Sequence, residues 1–63
     1  MRYFITADGN EQGWMDAFNK FNNSNYKLNQ EVKTEYADEV KQEIENFNRG
    51  YANGPAIGLE EVE

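Results

Sequence analysis

The sequence predicts one small α/β or α+β domain in the order strand, helix, strand, helix, with a possible short third strand near the C-terminus. Three observations carry that expectation. Residues 2–7 and 26–34 alternate apolar and polar side chains with a period of two, the signature of half-buried strands. Residues 11–22 and 36–49 repeat apolar side chains at helical spacing. Sixty-three residues hold a single core, because chains divide into several domains only at several times this length.

In the first strand, residues 2–7, Tyr3, Ile5 and Ala7 alternate with Arg2 and Thr6, and Phe4 lies on the otherwise polar face. Asp8-Gly9-Asn10 supplies turn chemistry, and Asp8 or Asn10 is the expected cap of the first helix. That helix places Trp14, Met15, Ala17, Phe18 and Phe21 on one face, with Gly13 weakening its first turn by about 1 kcal/mol relative to alanine. Asn22-Asn23-Ser24-Asn25 ends it. From Tyr26 to Thr34 the even positions hold Tyr26, Leu28 and Val32 between polar neighbours, which reads as a second strand. A single helix from 26 to 49 is the rival reading, but its apolar residues at steps of four drift by about 40° per step and leave no common face.

Tyr36, Ala37, Val40, Ile44 and Phe47 do share a face, so the second helix is placed at 36–49, with Thr34 as cap and Gly50 as stop. Ala52-Asn53-Gly54-Pro55 is a turn. Residues 1–51 are expected to form the compact domain. Residues 52–63 are expected to be a turn followed by a short strand or a flexible acidic tail, with Glu60-Glu61-Val62-Glu63 frayed. A helix between the two strands suggests a crossover with parallel strands, and so thin a sheet invites completion by the tail or by a second copy of the chain.

Charge is distributed unevenly. Residues 1–34 carry four acids and four bases, whereas residues 35–63 carry eight acids against Lys41 and Arg49, which accounts for the whole net charge of −6. Such an imbalance favours a positively charged partner and disfavours nucleic acid and anionic membranes. Within the second helix Asp38 can reach Lys41 and Glu45 can reach Arg49, whereas Glu35, Glu39 and Glu43 recur every four residues with no base three or four positions away. That row, rising about 6 Å per step, approximates the spacing of phosphates along one nucleic-acid strand.

Catalysis is not expected. The chain contains no histidine and no cysteine, and Ser24 is its sole serine, which removes nucleophile–histidine chemistry, thiolate metal sites and disulfides. The turn Asp8–Gly13 partly matches a calcium loop, but its fifth position is Gln12 and its twelfth is Asn19 rather than a bidentate carboxylate. No metal and no cofactor is therefore expected. No apolar run reaches the ~20 residues of a membrane span, and Met1–Ala7 is too short for a signal-peptide core, so a cytoplasmic location is expected.

These readings point to a binding protein that occupies a basic surface of a target protein, a nucleic-acid-binding surface among the candidates. The expected contact residues are Glu35, Glu39 and Glu43, assisted by Asp38 and the acidic tail. In size, acidity and lack of catalytic residues the chain is similar in general character to the small acidic inhibitors encoded by phages and mobile elements, such as anti-CRISPR and anti-restriction proteins, though no alignable motif carries the likeness. The alternatives are a homodimeric assembly protein, and an adaptor that presents Phe4, Trp14 or Tyr51 to a hydrophobic groove.

Overall fold

A three-stranded antiparallel sheet in the order β2-β1-β3 carries two helices on one face in the computed structural model, which describes residues 1–63. The elements are β1 (Arg2–Ala7), α1 (Gln12–Asn22), β2 (Glu31–Val32), α2 (Ala37–Phe47) and β3 (Ile57–Val62). The fold is α+β. The odd residues of β1 face the helices, and Ile5 is fully buried among Met15, Phe18, Val40, Ile44, Phe47 and Ile57. Even residues point to the other face, which no helix covers. Phe18 and Phe47 meet edge to face at 5.4 Å between centroids and are both fully buried; burying a side chain of that size contributes about 2–3 kcal/mol.

The expectation of parallel strands is corrected. Tyr3 lies opposite Val32 and Phe4 opposite Glu31, so β2 runs against β1. A helical crossover yields parallel strands only when the helix alone returns the chain. Here residues 23–30 form a second connection that reverses it. Residues 26–30 do alternate in burial as far as Leu28, yet they do not continue the strand. Asn29 adopts a left-handed conformation (φ 65°) inside a turn closed by the Gln30 N–H on the Lys27 carbonyl (3.0 Å). The period of two reported half-burial correctly but could not reveal this kink.

The helix ends also depart from expectation. Asp8–Asn10 is a 3-10 turn that leaves α1 without a side-chain cap, and Gly9 sits there at φ 65°, where a side chain would be strained. Thr34 opens a second 3-10 turn, Thr34–Tyr36, and donates its hydroxyl to the Met1 carbonyl (3.3 Å) instead of capping α2. Gly50 does not stop the second helix. The chain continues as a π-helical turn, Asn48–Ala52, and ends at Asn53 in the left-handed conformation (φ 57°). The acidic tail is not frayed: Glu60, Glu61 and Val62 pair with Phe4, Tyr3 and Arg2. Tyr36 and Phe21, assigned to apolar faces by spacing, are 52% and 47% exposed.

Candidate protein-binding surface

The row of carboxylates is divided by the fold. Glu35 precedes α2 in the 3-10 turn and is exposed, as are Asp38 and Glu39 in the first turn of α2. Glu43 is half-buried and accepts hydrogen bonds from Asn22 Nδ2 (2.8 Å) and the Tyr26 hydroxyl (3.0 Å). It ties α2 to the end of α1 and to the following loop, so it is not a free carboxylate. Burial, that hydrogen bond and the charges of Glu43 and Glu39 push Tyr26 up to about 12. Glu39 and Glu43 therefore face Tyr26 on one flank of α2.

Asp38 faces another way. The Glu61 carboxylate, burial and the charge of Asp38 raise Tyr3 above its ordinary value, Glu61 being directly opposite Tyr3 in the sheet, while the Tyr3 hydroxyl itself donates to Met1 Sδ (3.8 Å). Two acids separated by more than twenty positions thus act on one tyrosine. The start of α2, the end of β3 and the first residues of β1 converge there, and Glu35, Asp38, Glu60 and Glu61 all stand exposed at this end of the sheet. The nearby bases are partly engaged. Lys41 Nζ lies 5.6 Å from the centre of the Tyr3 ring and forms no ion pair with Asp38. Arg2 is held by Glu31 through two contacts of 3.1 and 3.2 Å, which raise the guanidinium and hold Glu31 below its ordinary value. The expected pair of Glu45 with Arg49 is formed, at 3.4 Å. Of the twelve carboxylate side chains, only Glu31 and Glu45 have an ion-pair partner.

The two aromatic candidates differ in kind. Phe4 is half-buried on the open sheet face, with the Arg2 guanidinium 5.0 Å from its ring centre, so its face is already covered by a cation. Tyr51 is 61% exposed and stacks on the buried Phe47 ring at 5.3 Å. Phe21 stands beside it, 6.3 Å between centroids, and the two border a shallow cavity of about 220 Å³ with Ala17 and Lys20. Phe21, like Tyr36, is a residue that spacing alone misplaced. Its position in the last turn of α1, just before the asparagine run, is the one signal that could have marked it as peripheral. Trp14, by contrast, is half-buried and meets Phe47 edge-on at 6.3 Å.

No three acidic side chains come close enough together to hold a metal ion, and no helix is long and apolar enough to cross a membrane. The calcium-loop match at Asp8–Gly13 is a 3-10 turn leading into α1. Comparison with protein families, with curated proteins and with solved structures finds no match, so the chemistry of the surface carries the functional argument.

Proposed function

We propose that the protein is a non-catalytic binding domain that docks its acidic end, Glu35, Asp38, Glu60 and Glu61, onto a basic surface of a target protein inside a cell. The observation that carries this reading is that β3 sets Glu61 opposite Tyr3 while α2 lays Lys41 over the same ring. Asp38, in the first turn of α2, and the acids at the end of β3 therefore lie at one end of the sheet, Asp38 and Glu61 both exposed and neither in an ion pair. Carboxylates concentrated at one end steer association towards lysine- and arginine-rich surfaces and discriminate against anionic ones. A nucleic-acid-binding surface is the natural target class, because it presents cations spaced to receive phosphates.

The test is capture from a host lysate by the native chain and by the Glu35→Lys/Asp38→Lys/Glu61→Lys variant, at about 50 mM and about 500 mM salt. A partner retained by the native chain at low salt, released at high salt and absent from the variant is expected. A partner held equally by both chains overturns the reading, provided that circular dichroism shows the variant folded. Glu43 is left untouched because reversing it would break the hydrogen bonds from Asn22 and Tyr26. A second reading, an adaptor, is favoured by the exposed Phe21–Tyr51 pair backed by Phe47. In the same capture Tyr51→Ala would then weaken retention more than the charge reversals, since Tyr is enriched among interface hot spots.

A further inference from the structure

The longest unpaired element is the outer edge of β3, and its main-chain groups can be assigned one by one. The Asp8 N–H donates to the Ala56 carbonyl (2.7 Å), and Thr6 lies opposite Gly58. In an antiparallel ladder the inward groups alternate, so Gly58, Glu60 and Val62 bond to β1, while Ile57, Leu59 and Glu61 turn outward. An independent contact confirms the phase. Asn48 donates from Nδ2 to the Ile57 carbonyl (2.8 Å) and accepts the Ile57 N–H at Oδ1 (3.0 Å). The Asn48 amide thus serves as a one-residue fourth strand. Beyond it the N–H and C=O of Leu59 and of Glu61 have no strand beside them, because β3 is the last strand of the sheet.

A groove of about 600 Å³ runs along this edge between β3 and α2. Leu59 and Ile44 supply its apolar lining, with Lys41, Glu45, Asn48 and Arg49 on the α2 side. We infer that this edge receives an extended segment of a basic partner protein as a fourth, antiparallel strand, bonded to the main chain of Leu59 and Glu61. The register dictates its chemistry. The residue opposite Leu59 points into the groove and is apolar, whereas those opposite Glu60 and Glu61 are lysine or arginine. Arg49 is already bound by Glu45 and Lys41 lies on Tyr3, so Glu60, Glu61 and Asp38 set the sign at that end. The same acids disfavour a second copy of this chain, whose β3 would bring a further Glu60, Glu61 and Glu63 to the edge.

The inference rests on the proposed reading only in taking the partner to be basic, and the experiment separates the two. The probe is a capped synthetic octapeptide with two lysines followed by isoleucine in a threonine–valine background, titrated into the isotopically labelled full chain. The Leu59 and Glu61 amide signals are expected to shift together and their hydrogen exchange to slow. Glu61→Pro removes an outward N–H that β1 does not use, a position where an edge strand tolerates proline. That variant is expected to bind the peptide about tenfold more weakly than Glu61→Gln, which loses the same charge but keeps the N–H. A peptide N-methylated at the residues facing Leu59 and Glu61 removes the reciprocal donors to the Leu59 and Glu61 carbonyls of the native chain and is likewise expected to lose affinity. Binding by Glu61→Pro equal to that by Glu61→Gln, with no loss for the methylated peptide, overturns strand addition while leaving docking by the acidic end intact. So does self-association of the chain with no response to peptide. If Glu35→Lys/Asp38→Lys abolishes partner capture while the peptide still pairs with β3, both proposals stand.

Discussion

Asparagine accounts for much of the order in this cysteine-free chain, and in two distinct ways. Asn10, Asn23, Asn29 and Asn53 occupy left-handed backbone positions, where asparagine is better tolerated than most side chains because its amide bonds locally. Asn19 and Asn48 act instead as clamps. Asn19 donates to the Tyr26 carbonyl (2.8 Å) and accepts from the Tyr26 N–H (2.9 Å) and the Ser24 hydroxyl (2.9 Å). Asn48 brackets Ile57, which is buried, in the same manner. Asn48→Ala would strand both main-chain groups of Ile57, at a cost of about 2–3 kcal/mol, and Asn48→Asp would keep the acceptor but set a carboxylate oxygen against the Ile57 carbonyl. Urea denaturation should show both variants less stable than the native chain.

Tyr26 gives a second expectation at this scale. Its folded value, about 12, lies above the ordinary 10.0, so the protonated phenol is favoured by the native state. Its contribution is complete below about pH 10 and is lost as pH rises through about 12. The native chain should lose stability across that window. Tyr26→Phe should flatten the loss while lowering stability at neutral pH by about 1 kcal/mol, as followed by thermal melts from pH 7 to 12.

Among the elements, α1 shows how a weak local signal can be improved. Gly13 lies in its first turn, is exposed and has nothing within 4 Å of where a Cβ would stand. Glycine there only loosens the helix. Gly13→Ala is expected to stabilise the domain by about 0.5–1 kcal/mol, a rise in melting temperature of a few degrees that calorimetry would detect. Gly58 behaves differently, since a Cβ would meet Thr6 Oγ1 at 3.1 Å across the strand pair, so alanine there should not help. The second helix shows the limit of reading an element by its spacing. Ala37, Val40, Ile44 and Phe47 form its buried face as the periodicity requires. The same periodicity put Glu43 in line with Glu35 and Glu39 and could not show that Asn22 and Tyr26 approach it from elements far away in sequence.

For the whole molecule, the Cα radius of gyration of 10.5 Å agrees with about 10.6 Å for a domain of this length that folds by itself. The single chain is therefore as compact as a domain of its length. Its exposed edge still needs protection, and the three glutamates at the end of β3 supply it by repulsion. Replacing Glu60, Glu61 and Glu63 together by glutamine should raise self-association, visible by sedimentation at micromolar concentration, and the native chain should remain monomeric there. A native dimer under those conditions would instead favour the assembly alternative.

Periodicity and composition were enough for the two helices, the central strand, a small mixed domain of class α/β or α+β, and the surplus of acid in the second half of the chain. Each of these depends on neighbours within a few positions, where side-chain spacing and charge can be read directly. Strand direction, the ordered acidic tail and the partition of the carboxylates were settled by contacts between distant residues. Asn29 turns the chain before β2 begins. Pairing with β1 holds Glu60 and Glu61 in a strand, a gain in main-chain hydrogen bonds that no local pattern in so acidic a segment advertises. The placement of Glu61 opposite Tyr3 follows from the same pairing. The acidic surface was legible as a surplus of charge, and its location was a product of how the sheet closes.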